Sequence, residues 1–248
     1  MFPFRDHNPS RRTPYVTWAI MAINIVVFAS YSPYLVDGVA LSRVFNAWAM
    51  VPAEITEGRK YYTAITSMFL HGGFLHIAGN MLFLWIFGDN IEDAMGHLTF
   101  AIFYIVSGLG AGVFHVLSDP TSWVPMVGAS GAIAGVMGAY LLLYPKAKVD
   151  VALILFVFFK VFTMPAFIVL GIWMGLQIFG ELASSATGGG IAYWAHIGGF
   201  IMGVALTAPL WLRLGGTVFW QRVDFHPPHK ATFETRTTTI PIVRRRGR

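Results

Sequence analysis

Gly128-Ala129-Ser130-Gly131-Ala132-Ile133-Ala134-Gly135 lies within Thr121–Pro145, a run without one charged side chain. A bilayer core about 30 Å thick needs roughly 20 apolar residues of helix, so a charge-free run of this length reads as a membrane span. Five more runs qualify: Thr13–Val36, the second half of Tyr61–Gly88, Leu98–Ser118, Val161–Gly180 and Ile191–Leu212. Val151–Phe159 is apolar but cut off by Lys160, too short to span, and reads as a connecting or interfacial segment. The expected fold class is therefore all-α: a polytopic membrane protein with six transmembrane helices.

Composition agrees. Of 248 residues, 56% are hydrophobic and 12% charged, against about 25% charged in ordinary soluble domains; mean hydropathy is +0.62. Residues 1–12 read as a cytoplasmic lead, 13–212 as the six-span domain, and 213–248 as a basic, disordered tail in the cytoplasm. The charged N-terminus running into a long apolar stretch reads as a first span and not a cleaved signal. Thirteen of the seventeen Lys and Arg fall on the side that would hold both termini, so the positive-inside rule places both ends in the cytoplasm. That topology points to a plasma or bacterial inner membrane. The net charge of +5 is juxtamembrane, which suits anionic lipid and argues against nucleic acid. The chain has no cysteine, which removes disulfides, thiol catalysis and cysteine metal sites together. No cofactor and no metal are expected. His97 and His115 read as ordinary polar residues, and His226 and His229 as part of the disordered tail. The stretch Leu182–Gly190 reads as a flexible outer connection.

Spans two, four and six would all run from the outer face inward, and His76, Asn80, Ser130 and His196 lie near their starts. Parity thus places four polar side chains in one layer. A serine hydroxyl needs a base within hydrogen-bond reach, and His196 can be that base only if spans four and six pack closely. His196, Gly199 and Gly203 share one helical face by spacing. Gly131 and Gly135 form a small-xxx-small pair that lets membrane helices approach backbone to backbone. Attack on an amide creates an oxyanion that needs preorganised donors. His76 and Asn80, at i and i+4, with the Ser130 amide, supply three. No carboxylate occupies that layer, so a Ser–His dyad without an acid is expected, its ring held by packing.

The segments His71-Gly72-Gly73-Phe74-Leu75-His76-Ile77-Ala78-Gly79-Asn80, Gly128-Ala129-Ser130-Gly131 and Ala195-His196-Ile197-Gly198-Gly199 resemble the rhomboid intramembrane serine proteases, in order and at suitable separations from about Thr13 to Leu212. The resemblance implies Ser130 as nucleophile, His196 as base, and His76, Asn80 and the Ser130 amide as the oxyanion site. It also implies His71 as an extra histidine at the cavity mouth and Gly199 as a helix-contact glycine; Gly128, Gly131, Gly199 and Gly203 together are expected as helix-packing support. Single-span membrane proteins would be the substrates, cut in or near the bilayer. Some members carry an aromatic four residues after the serine that stacks on the base. Ala134 stands there in this chain, leaving Trp194 or another packed neighbour to orient His196.

The expected function is hydrolysis of peptide bonds in or next to transmembrane segments, through a serine acyl-enzyme. The competing class is a catalytically silent rhomboid-like protein that binds client helices. A small transporter would show inverted repeats and charged or broken helices at the midplane, and neither is convincing in this sequence.

Overall fold

A computed structural model of the chain describes residues 2–155, 158–184 and 192–228. Among the described residues, five helices are long and apolar enough to cross a membrane. They are α1 (Tyr15–Tyr31), continued by a 3-10 turn to Val36, then α5 (Phe74–Met95), α6 (His97–Ser118), α8 (Ala166–Ser184) and α9 (Tyr193–Leu214). Between α1 and α5 lie α2 (Gly38–Trp48), α3 (Pro52–Thr56) and α4 (Thr63–Thr66). The sixth apolar helix, α7 (Ser130–Leu143), has 14 residues and is about 21 Å long at 1.5 Å per residue. The span expected over Thr121–Pro145 is therefore much shorter as a helix, and Ser130 opens it instead of lying a short way inside. The protein is a mostly helical multi-pass bundle, as its sequence implies.

Three strands add to the expected all-α fold: β1 (Phe2–Asp6), β2 (Lys148–Leu155) and β3 (Phe158–Pro165), antiparallel in the order β1-β2-β3. Val151–Phe159 is thus mostly strand, and Val161–Pro165, read as the start of a span, is also strand. The cause is composition, because β-branched and aromatic residues on a half-buried pleated surface favour pairing. Val149 and Val151 are fully buried, and Asp150 is held by Arg5 Nη2 at 3.1 Å, His7 Nε2 at 2.7 Å and Thr163 Oγ1 at 2.7 Å. The N-terminal lead is therefore tied to the hairpin that follows α7.

The tail also departs from expectation. Its first part forms α10 (Thr217–Val223), anchored by buried Phe219 and by Trp220, whose Nε1–H donates to the Leu142 carbonyl at 2.9 Å. Aromatic anchors of this kind outweigh the low-complexity composition that follows. Residues 229–248, including His229, and most of the Leu182–Gly190 connection lie outside the described residues.

At the centre α7 is apolar all round and buried on nearly every side, from Ala132 and Ile133 to Tyr140 and Leu143, as a helix surrounded by others must be. In lipid its packing rests on close contact more than on escape from water. Between α7 and α9 that contact is backbone on backbone. A Cβ at Gly199 would lie 2.0 Å from the Gly131 carbonyl oxygen, and one at Gly203 would lie 1.9 Å from that of Gly135.

At the seam of α1 and α5, fully buried Glu92 accepts from Val16 N at 2.9 Å, Thr17 N at 2.7 Å and Thr17 Oγ1 at 2.7 Å. It thereby satisfies first-turn N–H groups of α1 that have no intrahelical acceptor. His97 Nδ1 donates to the same carboxylate at 2.6 Å. His97 is thus part of a helix-capping network. Gly96, at φ +80°, makes the sharp turn from α5 to α6 that only glycine adopts without strain.

Below α7, Asp6 Oδ2 accepts from Asn8, Tyr140 OH and Asn90 at 3.1, 3.1 and 3.2 Å. Burial, and then the nearby Asp89 carboxylate, push the Asp6 carboxyl up to about 7 from 3.8. The docked strand therefore holds a proton that a detached strand, with the lower value, releases between about pH 4 and 7. Docking is strongest at the acid end of that window and weakens as pH rises through it, by up to about tenfold per pH unit. Amide protection factors of Arg5 and His7 are expected to fall accordingly, and Asp6→Asn, neutral at every pH, to remove most of the slope. An unchanged slope in that variant would refute the assignment.

Candidate active site

Three helices deliver the polar layer. His76 and Asn80 come from α5, Ser130 from the first position of α7, and His196 from the first turn of α9. All four line one cavity of about 990 Å³. His196 Nε2 lies 2.7 Å from Ser130 Oγ. The glycine contacts make this possible, since Gly131 follows Ser130 and Gly199 lies one turn beyond His196 on the same face. In the first turn of α7 the backbone N–H groups have no intrahelical acceptor and the helix dipole is positive, which favours negative charge forming beside Ser130.

His76 Nδ1 accepts from Gly72 N–H at 3.3 Å, so its proton belongs on Nε2. That nitrogen lies 2.8 Å from where a Cβ on Gly128 would sit. Gly128, expected as helix-packing support, meets side chains of the polar layer and not a facing helix backbone. It precedes α7 at φ +131°, and its missing side chain is the space between His76 and Ser130. Asn80 is buried, and its Nδ2 has no hydrogen-bond partner among the described residues. A buried amide donor left unpaired is costly, and Asn80 lines the cavity that holds Ser130.

His71 is not at the cavity mouth. It is fully buried, and its ring meets that of His76 edge to face at 5.0 Å. Its backbone is fixed by Tyr31, whose OH donates to the His71 carbonyl at 2.8 Å. His71 is thus a wall behind His76.

Two residues unforeseen in the sequence contact the imidazole. Gln177 Oε1 lies 2.7 Å from His196 Nδ1, and the Trp173 ring lies 5.8 Å from the His196 ring at a 42° tilt. Both come from α8, one turn apart, and replace packing alone as the support of the ring. Trp194 lines the cavity without taking that role. His115, read as an ordinary polar residue, lines the same cavity, as do Asp119 and Glu181. The readable signal was Gln177 itself, the one amide in Val161–Gly180, because polar side chains inside spans are costly and tend to be functional.

The Rhomboid domain model matches residues 58–213. Rhomboid protein 1, mitochondrial, of Saccharomyces cerevisiae is 29% identical over 202 residues, covering 76% of this chain and 51% of that protein. Rhomboid-like protein 11, chloroplastic, of Arabidopsis thaliana is 27% identical over 214 residues, 84% of this chain and 68% of its own. Rhomboid protease GlpG of Salmonella paratyphi A is 28% identical over 206 residues, 83% and 66% respectively. The chain spans about half the length of the yeast relative. Because the match extends from the segment before α4 through nearly all of α9, the chain belongs to the rhomboid family.

Proposed function

We propose that this rhomboid is an intramembrane serine endopeptidase that cuts single-span membrane proteins in or beside the bilayer. The observation that carries the reading is the 2.7 Å contact of His196 Nε2 with Ser130 Oγ, set in a cavity that also holds the unpaired Asn80 amide. Ser130 Oγ attacks the scissile carbonyl carbon while His196 Nε2 takes the hydroxyl proton. The oxyanion is held by His76 Nε2–H, Asn80 Nδ2–H and the Ser130 N–H. Collapse breaks the C–N bond, and His196 gives its proton to the leaving amine. Water then hydrolyses the Ser130 ester by the same route. These steps need no cofactor and no metal.

By the positive-inside rule, Arg5, Arg11, Arg12, Lys146, Lys148 and Arg213 lie on the cytoplasmic side, so cleavage occurs toward the opposite face. The similar proteins include mitochondrial, chloroplastic and bacterial ones. A bacterial inner membrane, expected from the sequence, therefore gains no support from them.

The test is cleavage of a tagged single-span reporter in proteoliposomes, together with labelling by a fluorophosphonate and mapping of the adduct. The expected result is a cut reporter and an adduct on Ser130. A folded protein that cuts no reporter from a varied panel and takes no label would instead be the client-binding kind. Asn80→Ala is expected to lower kcat about 100-fold, the usual cost of one oxyanion donor, with little change in KM. A loss confined to KM would move Asn80 from the oxyanion to substrate binding.

A further inference from the structure

The His196 imidazole uses both of its nitrogens, and the two partners differ in what they allow. Ser130 Oγ can donate or accept, so the contact at Nε2 leaves the tautomer open. The Gln177 side-chain oxygen only accepts. At 2.7 Å from Nδ1 it requires a proton on Nδ1, which leaves the lone pair on Nε2 facing the Ser130 hydroxyl. The opposite tautomer would aim N–H at the serine and have no site for its proton.

The Gln177 amide is itself oriented. Its Nε2 faces the Trp173 carbonyl at 3.4 Å, so flipping it would set oxygen against oxygen there. Trp173 then covers the imidazole and stacks on Phe200 at 6.3 Å. Backbone and side chain of one turn of α8 thus define the ring's plane and its proton. On its other face α8 carries exposed apolar side chains, such as Phe167, Leu176 and Phe179.

We propose that Gln177 is a positioning residue for His196, a neutral third member whose side-chain oxygen holds the imidazole in the tautomer that can accept the Ser130 proton. The proposal rests on the reading of Ser130 and His196 as nucleophile and base. A neutral amide suits the place because it orients the ring without bringing a second charge into a poorly solvated site. The titratable side chains facing His196 are His76 from α5 and His115 from α6. Glu181 of α8 and Tyr193 of α9 lie on the same cavity wall.

The test compares Gln177→Leu and Gln177→Glu with wild type in the full chain. Leu176→Ala, at a neighbouring position 60% exposed, serves as the control. Gln177→Leu is expected to lose about 10- to 100-fold in kcat, reaching at most the lower end of a general-base contribution because the base itself remains, with KM and thermal midpoint near wild type. Gln177→Glu keeps an acceptor, so it restores most of the rate. Its carboxylate favours the protonated ring and is expected to move the acid limb of the rate–pH profile up by about one unit or more. A Gln177→Leu rate within twofold of wild type, or a Gln177→Glu profile superimposable on wild type, overturns the proposal. Nitrogen-15 shifts of His196, assigned by their loss in His196→Ala, give a readout independent of turnover. Nδ1 is expected to be protonated in wild type and to share its proton with Nε2 in Gln177→Leu. If no reporter is cut and Ser130 takes no label, the endopeptidase reading falls, and these shifts alone decide whether Gln177 sets the tautomer. Shifts identical in wild type and Gln177→Leu overturn it in either case.

Discussion

Ser130→Ala and His196→Ala are each expected to reduce reporter cleavage by on the order of 10⁴- to 10⁶-fold, because a nucleophile and its base act as one unit and losing either costs about as much as losing both. The double variant should therefore be little worse than either single one. The two differ chemically. Ser130→Ala leaves no oxygen to acylate and should abolish the fluorophosphonate adduct, whereas His196→Ala leaves the hydroxyl and should only slow its formation. In wild type the rate should rise with pH while the ring loses its proton and level off once it is neutral, since only the neutral imidazole accepts a proton. Initial rates on equal amounts of folded protein would decide. If Ser130→Ala still cuts at a rate near wild type, the activity belongs to another site.

Gly203→Ala is expected to be the most damaging single methyl in the bundle. Its Cβ would lie 1.9 Å from the Gly135 carbonyl oxygen and 2.5 Å from the Gly135 Cα, so no flexible side chain can give way. The helices must separate by more than an ångström, against a cost of about 3 kcal/mol or more, at or above the upper end for an overpacked core. Gly199→Ala meets the Gly131 carbonyl oxygen in the same way at 2.0 Å. Because that contact flanks Ser130, it should part the serine from His196 as well as lower stability. Gly175→Ala, on α8, meets nothing within 4 Å and should be neutral or slightly stabilising, since alanine favours a helix over glycine. Thermal unfolding of the three variants in one detergent checks the order. A Gly203→Ala protein as stable as Gly175→Ala would mean that the helices do not pack this closely.

What was legible in the sequence is what charge-free runs make conspicuous. Ser130, His76, Asn80 and His196 stand out because polar groups in such runs are few, and parity places them in one layer. The glycines of α7 and α9 follow from spacing. Gln177 escaped because a search for an acid beside the histidine passes over an amide, although an amide can orient an imidazole equally well. The strands escaped for a different reason. Between Leu155 and Phe158 the sequence offers no Gly, Asn, Asp or Pro to announce a hairpin, and an apolar run of that length does not separate strand from buried helix by periodicity. The helix α10 was masked by the low-complexity residues after it, while the aromatic residues that dock it are visible only as contacts. The place of His71 depends on the turn before α5, which spacing alone does not give.

The shortness of α7 extends beyond the protein. Its roughly 21 Å falls about 9 Å short of an average hydrocarbon core, while its neighbours are long enough to cross. A bilayer that met every helix at its full height would cover the N-terminal end of α7, and with it the Ser130 hydroxyl that faces His196. Lipid thickness therefore becomes a variable of the chemistry, because acyl-chain length decides how much of the shortfall is met by thinning the surrounding membrane and how much by admitting water from above.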